Sequence, residues 1–133
     1  METFRILIVD DEDDFREAIM KRLRARKMEV AGANSGPKAL EMLAEQEFDV
    51  VVLDVKMPGM DGIETLRAIK QKKPLVEVIM LTGHASVESG IQGMQLGAFD
   101  YVMKPVALDD LMDKLRQAYE RRMLQLEYGR KNL

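Results

Sequence analysis

The chain has 133 residues, 47% of them hydrophobic, a formal net charge of −3 and no cysteine. This composition fits one domain with a packed core, and it excludes disulfides, thiolate metal sites and cysteine nucleophiles. The acidic balance gives no broad basic surface, so we expect no direct nucleic-acid binding by this chain. No segment has the pattern of a signal peptide or the roughly 18 apolar residues of a membrane span, which predicts a cytoplasmic protein without membrane contact.

Five short strands are predicted along the chain. Three continuous apolar runs occupy residues 6–9, 50–53 and 78–81, and two weaker candidates occupy residues 29–32 and 100–103. The three runs do not alternate apolar with polar residues. Such runs are typical of strands that are covered on both faces in a parallel sheet.

Amphipathic helices are predicted after each strand. They cover about residues 14–27, 37–45, 63–71 and 86–96, and a last helix begins near Leu108. The fourth helix is amphipathic through Val87, Ile91 and Met94, but it also carries Gly90 and Gly93. Because an interior glycine costs about 0.5–1 kcal/mol relative to alanine, we expect this helix to be the least stable and a candidate for movement.

The order of strand then helix recurs five times, which predicts an α/β fold with a doubly wound, five-stranded parallel sheet and five helices. We assign residues 1–118 to this domain and residues 119–133 to a helical C-terminal extension or linker. Two interpretations of the extension stay open: a frayed tail, or a linker helix that pairs two copies as a coiled coil. The apolar repeat is too short to choose between them.

Residues with distinctive chemistry follow four of the five predicted strands. They are Asp10 and Asp11 after the first strand, Asp54 after the third, Thr82 and Gly83 after the fourth, and Lys104 after the fifth. The carboxyl ends of the strands share one edge, where ligands bind in such folds. Crowded carboxylates favour a hard divalent cation, which keeps coordination positions open for phosphate oxygens. An aspartate beside a metal, a lysine and a hydroxyl is a credible acceptor of a phosphoryl group.

These residues resemble the receiver domain of two-component response regulators over about residues 4–117. The resemblance rests on Ile-Val-Asp-Asp-Glu at 8–12, Leu-Asp-Val-Lys-Met-Pro-Gly-Met-Asp-Gly at 53–62, Leu-Thr-Gly at 81–83 and Tyr-Val-Met-Lys-Pro at 101–105. The stretch from 84–87 through 97–101 is most similar to receivers of enhancer-binding transcription activators that work with an alternative sigma factor. The resemblance implies a flavodoxin-like receiver fold.

The resemblance also implies a role for each strand-end residue. Asp54 would accept a phosphoryl group from a phosphohistidine on a sensor histidine kinase, with Mg²⁺ or Mn²⁺ as cofactor. The metal ligands would be Asp11, Asp54 and the carbonyl of Lys56, with Asp10 acting mainly through a bound water. The phosphate contacts would come from Thr82, Gly83, Lys104 and Val55. Tyr101 would be a switch residue coupled to Thr82, and Lys56 and His84 would modulate the phosphate lifetime.

The implied output is a change in the face formed by the fourth helix, fifth strand and fifth helix. This face would control a transcription domain or another partner, and a homodimer through the last helix or the fourth helix and fifth strand is a further expectation. The implied chemistry is limited to the domain's own phosphorylation and dephosphorylation, so it is not an enzyme in the usual sense. Members of the family also have a cis bond where this chain has Lys104–Pro105.

Two other functions rank well behind. An aspartate-based phosphatase typically carries a second aspartate two residues after the first, where this chain has Lys56. A flavodoxin-like nucleotide carrier would need a Gly/Ser/Thr-rich phosphate loop after the first strand, where this chain has acids at 10–14. Single residues also have ordinary interpretations: Asp10 and Asp11 as helix caps, and Tyr101 as a packed strand aromatic.

Overall fold

The computed structural model describes residues 2–56, 61–83 and 87–131, with only the backbone of 87–89. The strands are β1 Arg5–Val9, β2 Glu29–Ala33, β3 Val50–Asp54, β4 Glu77–Thr82 and β5 Asp100–Met103. The helices are α1 Asp13–Ala25, α2 Gly36–Glu45, α3 Gly62–Lys72, α4 Val87–Gln95 and α5 Leu108–Lys131. Every predicted element is present, and the described ends lie within two residues of the prediction. The predicted start of the fourth helix at Ser86 lies outside the described residues.

All strand pairs are parallel, and the strands lie in the order β2-β1-β3-β4-β5. The predicted doubly wound parallel sheet is therefore confirmed. The strand order reverses between β1 and β3, so the carboxyl ends of these two strands flank the crevice where such sheets bind ligands. The register pairs Val9 with Leu53 and Asp54 with Leu81, which brings the residues after β1 and β3 to one edge.

Apolar side chains of the strands alternate between two cores, one on each face of the sheet. On β1, Ile6 and Ile8 enter the core that is covered by α1 and α5. Leu7 and Val9 enter the opposite core, to which α2 and α3 contribute. All four side chains are fully buried. Burial on both faces explains why the predicted strand is a continuous apolar run.

Helix α4 packs on the sheet through Gly90 and Gly93 rather than through Ile91 and Met94. Gly90 and Gly93 are buried, whereas Ile91 and Met94 are 57% and 44% exposed. A Cβ atom on Gly93 would collide with the buried side chain of Met80, so the missing side chain lets α4 approach β4 closely. An ordinary amphipathic helix buries its apolar stripe, and on this point the sequence pattern is misleading.

Helix α5 continues without a break from the domain into the predicted extension. Leu111, Leu115 and Ala118 are fully buried, as their spacing predicts. Beyond them, the ring of Tyr119 stacks on Phe4 with centroids 4.5 Å apart. The first turn of the extension therefore packs on the domain, and the boundary after residue 118 stays a prediction. Within the described ranges, no helix combines the length and apolar character needed to cross a bilayer.

Candidate functional site

Three carboxylates meet at the switch point of the sheet. Asp10, Asp11 and Asp54 each offer an oxygen within 4.8 Å of the others. Asp10 is fully buried, Asp54 is 5% exposed and Asp11 is exposed, so the cluster opens to solvent on one side. Asp10 lies one residue past β1 and still donates its backbone N–H to Ala33, while Asp54 is the last residue of β3. The strand ends therefore hold two charged groups that the core would otherwise exclude.

Local hydrogen bonds fix one oxygen of each buried carboxylate. The backbone N–H of Glu12 donates to Asp10 Oδ1 at 2.9 Å, and that of Lys56 donates to Asp54 Oδ1 at 3.3 Å. The guanidinium of Arg16 donates to the carbonyl of Asp10 at 2.8 Å, which ties α1 to the loop. These contacts orient the carboxylates and leave the Oδ2 atoms for other partners.

The ammonium group of Lys104 lies among the carboxylates. Its Nζ atom is 3.2 Å from Asp10 Oδ2 and 3.6 Å from Asp54 Oδ2, and it is 3.7 Å from Glu12 Oε1. The predicted meeting of the first, third and fifth strand ends is confirmed. One positive charge faces several negative ones, so the site has a net negative charge that favours a cation.

The surroundings raise the pKa of Asp54 from 3.8 to about 6. Burial is the largest cause, and the neighbouring charges of Asp10 and Asp11 add to it, while Lys104 and the Lys56 amide oppose it. Burial alone would lower the pKa of Lys104, but attraction from Asp54 and Asp10 outweighs it and raises the pKa. The Asp54 carboxylate is thus a group whose negative charge needs compensation.

Thr82 ends β4, and its carbonyl accepts a hydrogen bond from the backbone N–H of Lys104 at 2.8 Å. The peptide bond from Lys104 to Pro105 is cis, as the resemblance implies. Thr82 is 3% exposed and Gly83 follows it directly. The ladder between β4 and β5 therefore places Thr82 and Lys104 at the same edge of the sheet as Asp54.

Tyr101 lies on β5 beside α4 and is 42% exposed. With Thr82, Gly83 and one face of α4, it lines a largely apolar cavity of about 280 Å³. The ring stands about 4 Å from where a Cβ of Gly90 would be, and Lys114 Nζ lies 5.7 Å from the ring centroid. The cavity thus adjoins both Thr82 and Gly83, which are predicted to contact the phosphate, and Tyr101, the predicted switch residue.

The remaining predicted residues are placed only in part. Val55 is buried and donates its backbone N–H to Leu81, whereas the side chain of Lys56 is exposed. His84 lies outside the described residues, as do residues 57–60 of the motif at 53–62. For these positions, the functional assignments stay predictions.

Gly62 supports the site by allowing two backbone segments to approach each other closely. A Cβ atom there would lie 2.6 Å from the Cα of Val55 and would also meet the carbonyl of Asp54. The glycine therefore lets the first turn of α3 rest on the backbone that carries Asp54. Its own N–H donates to Val55 at 3.0 Å.

Substitution Gly62→Ala is expected to destabilise the protein by about 1–3 kcal/mol, because backbone atoms cannot move aside as a side chain can. It should also shift the NMR signals of the backbone around Asp54. Urea denaturation and amide chemical shifts measure the two effects. Gly129→Ala is the matched control, since a Cβ at Gly129 meets nothing within 4 Å. Equal stability of the two variants would contradict the role assigned to Gly62.

Two residues at the site were not recognised from the sequence. Phe15 packs against the core on the apolar side of α1, yet Lys104 Nζ also lies 4.5 Å from its ring centroid. Glu12 follows the two strand-end acids directly, and its carboxylate lies within ion-pair distance of Lys104. No local pattern signals either contact, because the two partners lie at opposite ends of the chain. By contrast Asp13 lies in the first turn of α1, where an acidic side chain interacts favourably with the helix dipole.

An acidic cluster and a lysine at the switch point of this sheet define a class of α/β domain suited to binding a divalent cation and a phosphoryl group. Comparison with known protein families then identifies the family. Residues 6–116 match the response regulator receiver domain, so the chain belongs to the receiver domain family of two-component response regulators. The resemblance stated from the sequence motifs is confirmed.

Individual relatives agree with this family. The transcriptional regulatory protein ZraR of Escherichia coli (strain K12) is 42% identical over 113 residues, which is 85% of this chain and 26% of that protein. A receiver domain protein from Clostridium thermocellum superimposes with a TM-score of 0.88 at 37% identity, covering 92% of this chain and 98% of that one. NtrX from Brucella abortus in complex with ADP superimposes with a TM-score of 0.93 at 30% identity, covering 99% of this chain and 30% of that one. The chain thus spans about a quarter of the length of the curated relatives.

Proposed function

We propose that Asp54 accepts a phosphoryl group from a phosphohistidine on a sensor histidine kinase. The observation that carries the proposal is the shared ammonium: Lys104 Nζ lies within 4 Å of both Asp54 and Asp10 at the ligand-binding edge of the sheet. In the transfer, a bond forms between a carboxylate oxygen of Asp54 and phosphorus, and the bond from phosphorus to the imidazole nitrogen breaks. The domain acts on no separate substrate in this scheme.

The acidic cluster fits Mg²⁺ or Mn²⁺. Its donors are hard carboxylate oxygens within 4.8 Å of one another, and two of the three carboxylates are buried. We propose Asp11 and Asp54 as direct ligands with the carbonyl of Lys56, and Asp10 as a ligand through water. The cation, when bound, neutralises oxygens of the transferred group and relieves the repulsion between the carboxylates.

The chain's own groups bind the oxygens of the phosphoryl group. Lys104 already lies at the acceptor and supplies an ammonium, while the Thr82 hydroxyl and the amides near Gly83 and Val55 supply neutral donors. Phosphorylation adds negative charge and strong acceptor oxygens to Asp54. We therefore expect Lys104 and Thr82 to move toward the phosphate, and Tyr101 to turn into the cavity beside Thr82.

The output follows from the surface next to that cavity. Ile91, Met94, Tyr101 and Met103 are exposed there, and a shift of the glycine-packed helix α4 rearranges them. This is a two-state element that a local charge biases. We propose that the face of α4, β5 and α5 controls a transcription domain or another partner in the cytoplasm. A homodimer through this face or through α5 belongs to the same proposal, as does modulation of phosphate lifetime by Lys56 and His84.

Incubation with acetyl phosphate and Mg²⁺ tests the acceptor. Intact-mass measurement is expected to show one added phosphoryl group on the wild-type protein and none on Asp54→Asn. Lys104→Ala should slow the reaction by about 100-fold or more, because the site loses the ammonium group that faces the Asp54 carboxylate. Asp113→Asn, an exposed change on α5, serves as control and should react normally. A phosphoryl group that persists in Asp54→Asn would refute the assignment.

A further inference from the structure

We propose that Phe15 is a positioning residue for Lys104, and that its ring face holds the ammonium group beside the acceptor. The inference rests on the proposed function of Asp54 and Lys104. It adds a residue from the first turn of α1 to the phosphoryl-accepting site. The contact is between the aromatic ring of Phe15 and the Nζ atom of Lys104.

The geometry is that of a cation–π contact. Lys104 Nζ lies 4.5 Å from the centroid of the Phe15 ring, inside the roughly 6 Å range of such contacts. The Lys104 side chain is 23% exposed, so the contact is partly shielded from water. The same nitrogen lies 3.2 Å from Asp10 and 3.6 Å from Asp54. Ring and carboxylates therefore act on one ammonium group together.

The position of the ring is itself fixed by the fold. Phe15 is partly buried and packs against the core that α1 and α5 cover. The next residue, Arg16, donates to the carbonyl of Asp10 at 2.8 Å and forms an ion pair with Asp13 at 2.8 Å. The first turn of α1 is thereby tied to the loop that carries the acids. A ring on this turn is a rigid surface on which a flexible lysine can rest.

A ring face suits this task because it attracts the charge without using the hydrogen-bond donors. An ammonium group has three N–H donors, and each one directed at a phosphoryl oxygen helps the transfer. The quadrupole of the ring attracts the cation as a whole and competes for none of them. A lysine that is held in place before the reaction also loses less side-chain freedom during it.

Variants of Phe15 test the role of the ring. With acetyl phosphate and Mg²⁺, Phe15→Leu is expected to lower the initial phosphorylation rate about threefold to tenfold, whereas Phe15→Tyr keeps most of the wild-type rate. Incorporation of mono-, di- and trifluorinated phenylalanine at position 15 should lower the rate stepwise. Fluorine weakens the negative ring face while nearly preserving its shape, so a residue that only packs would show no such series.

Phe99→Leu is the matched control. Phe99 packs against the same core and also has a cation near its ring, since the Arg121 guanidinium carbon lies 5.8 Å from the centroid. It precedes β5, however, at the opposite edge of the sheet from the acids. Its substitution by leucine should lower thermal stability as Phe15→Leu does, and leave the phosphorylation rate unchanged.

The outcomes distinguish failure of the positioning role of Phe15 from failure of the proposed function of Asp54. If the wild-type protein is phosphorylated on Asp54 and the fluorinated series gives constant rates, the positioning role is refuted and the proposed function stands. The same holds if Phe15→Leu reacts as fast as wild type. If the wild-type protein gains no phosphoryl group, the proposed function fails and the positioning role fails with it.

Discussion

Replacement of Asp54 by asparagine is expected to stabilise the metal-free protein by about 2–3 kcal/mol at about pH 8. The pKa of Asp54 is raised from 3.8 to about 6 in the folded state, so the folded protein holds this proton more tightly than the unfolded chain does. Stability from this group is fully present below pH 3.8 and is lost as the pH rises to about 6. Above that range the charged carboxylate lowers the free energy of unfolding by its full amount, and asparagine removes this destabilisation.

Urea denaturation of both proteins across this pH range, in the presence of a chelator, measures the effect. The advantage of Asp54→Asn should shrink as the pH falls and vanish below the lower pKa. Added Mg²⁺ should stabilise the wild-type protein more than the variant, because a cation that binds the folded state but not the unfolded chain shifts the folding equilibrium toward the folded state. Asp113→Asn provides the baseline for loss of an exposed carboxylate. If the difference in unfolding free energy between Asp54→Asn and wild type did not change with pH, the pKa of Asp54 would not be raised in the folded protein.

Substitution Arg122→Gln is expected to lower the free energy of unfolding by about 2–4 kcal/mol, the range for breaking a buried charged network. Arg122 is 8% exposed although it lies in the predicted extension. Its guanidinium donates to Asp49 at 3.0 Å, to the carbonyl of Leu75 at 3.0 Å and to Glu47 at 3.4 Å. Glutamine is too short to reach these partners, and the carboxylate of Asp49 loses its cation.

Arg130→Gln is the control for this experiment, since Arg130 is an exposed arginine in the last turn of the same helix. Its effect on urea denaturation should be small. A chain that ends at residue 118 should be destabilised at least as much as Arg122→Gln, because it also loses the stacking of Tyr119 on Phe4. Equal stability of Arg122→Gln and Arg130→Gln would mean that the network contributes nothing to the folded domain.

The sequence by itself determined the fold and the meeting of the acids and the lysine at one edge of the sheet. A run such as Ile6–Val9 is apolar throughout because a parallel strand is buried on both faces, and this pattern is visible locally. The strand-end positions of Asp10, Asp54 and Lys104 then followed from one rule, that carboxyl ends of parallel strands share an edge. Order along the chain was sufficient to predict their meeting.

Only the tertiary structure decided how neighbouring elements touch. Ile91 and Met94 have the spacing of a buried stripe, but the close packing of Gly93 on Met80 turns them outward. The contact of Phe15 with Lys104 and the burial of Arg122 likewise join distant segments. Periodicity records whether a face is apolar, whereas the choice of partner depends on the shapes and charges that meet once the whole chain has folded.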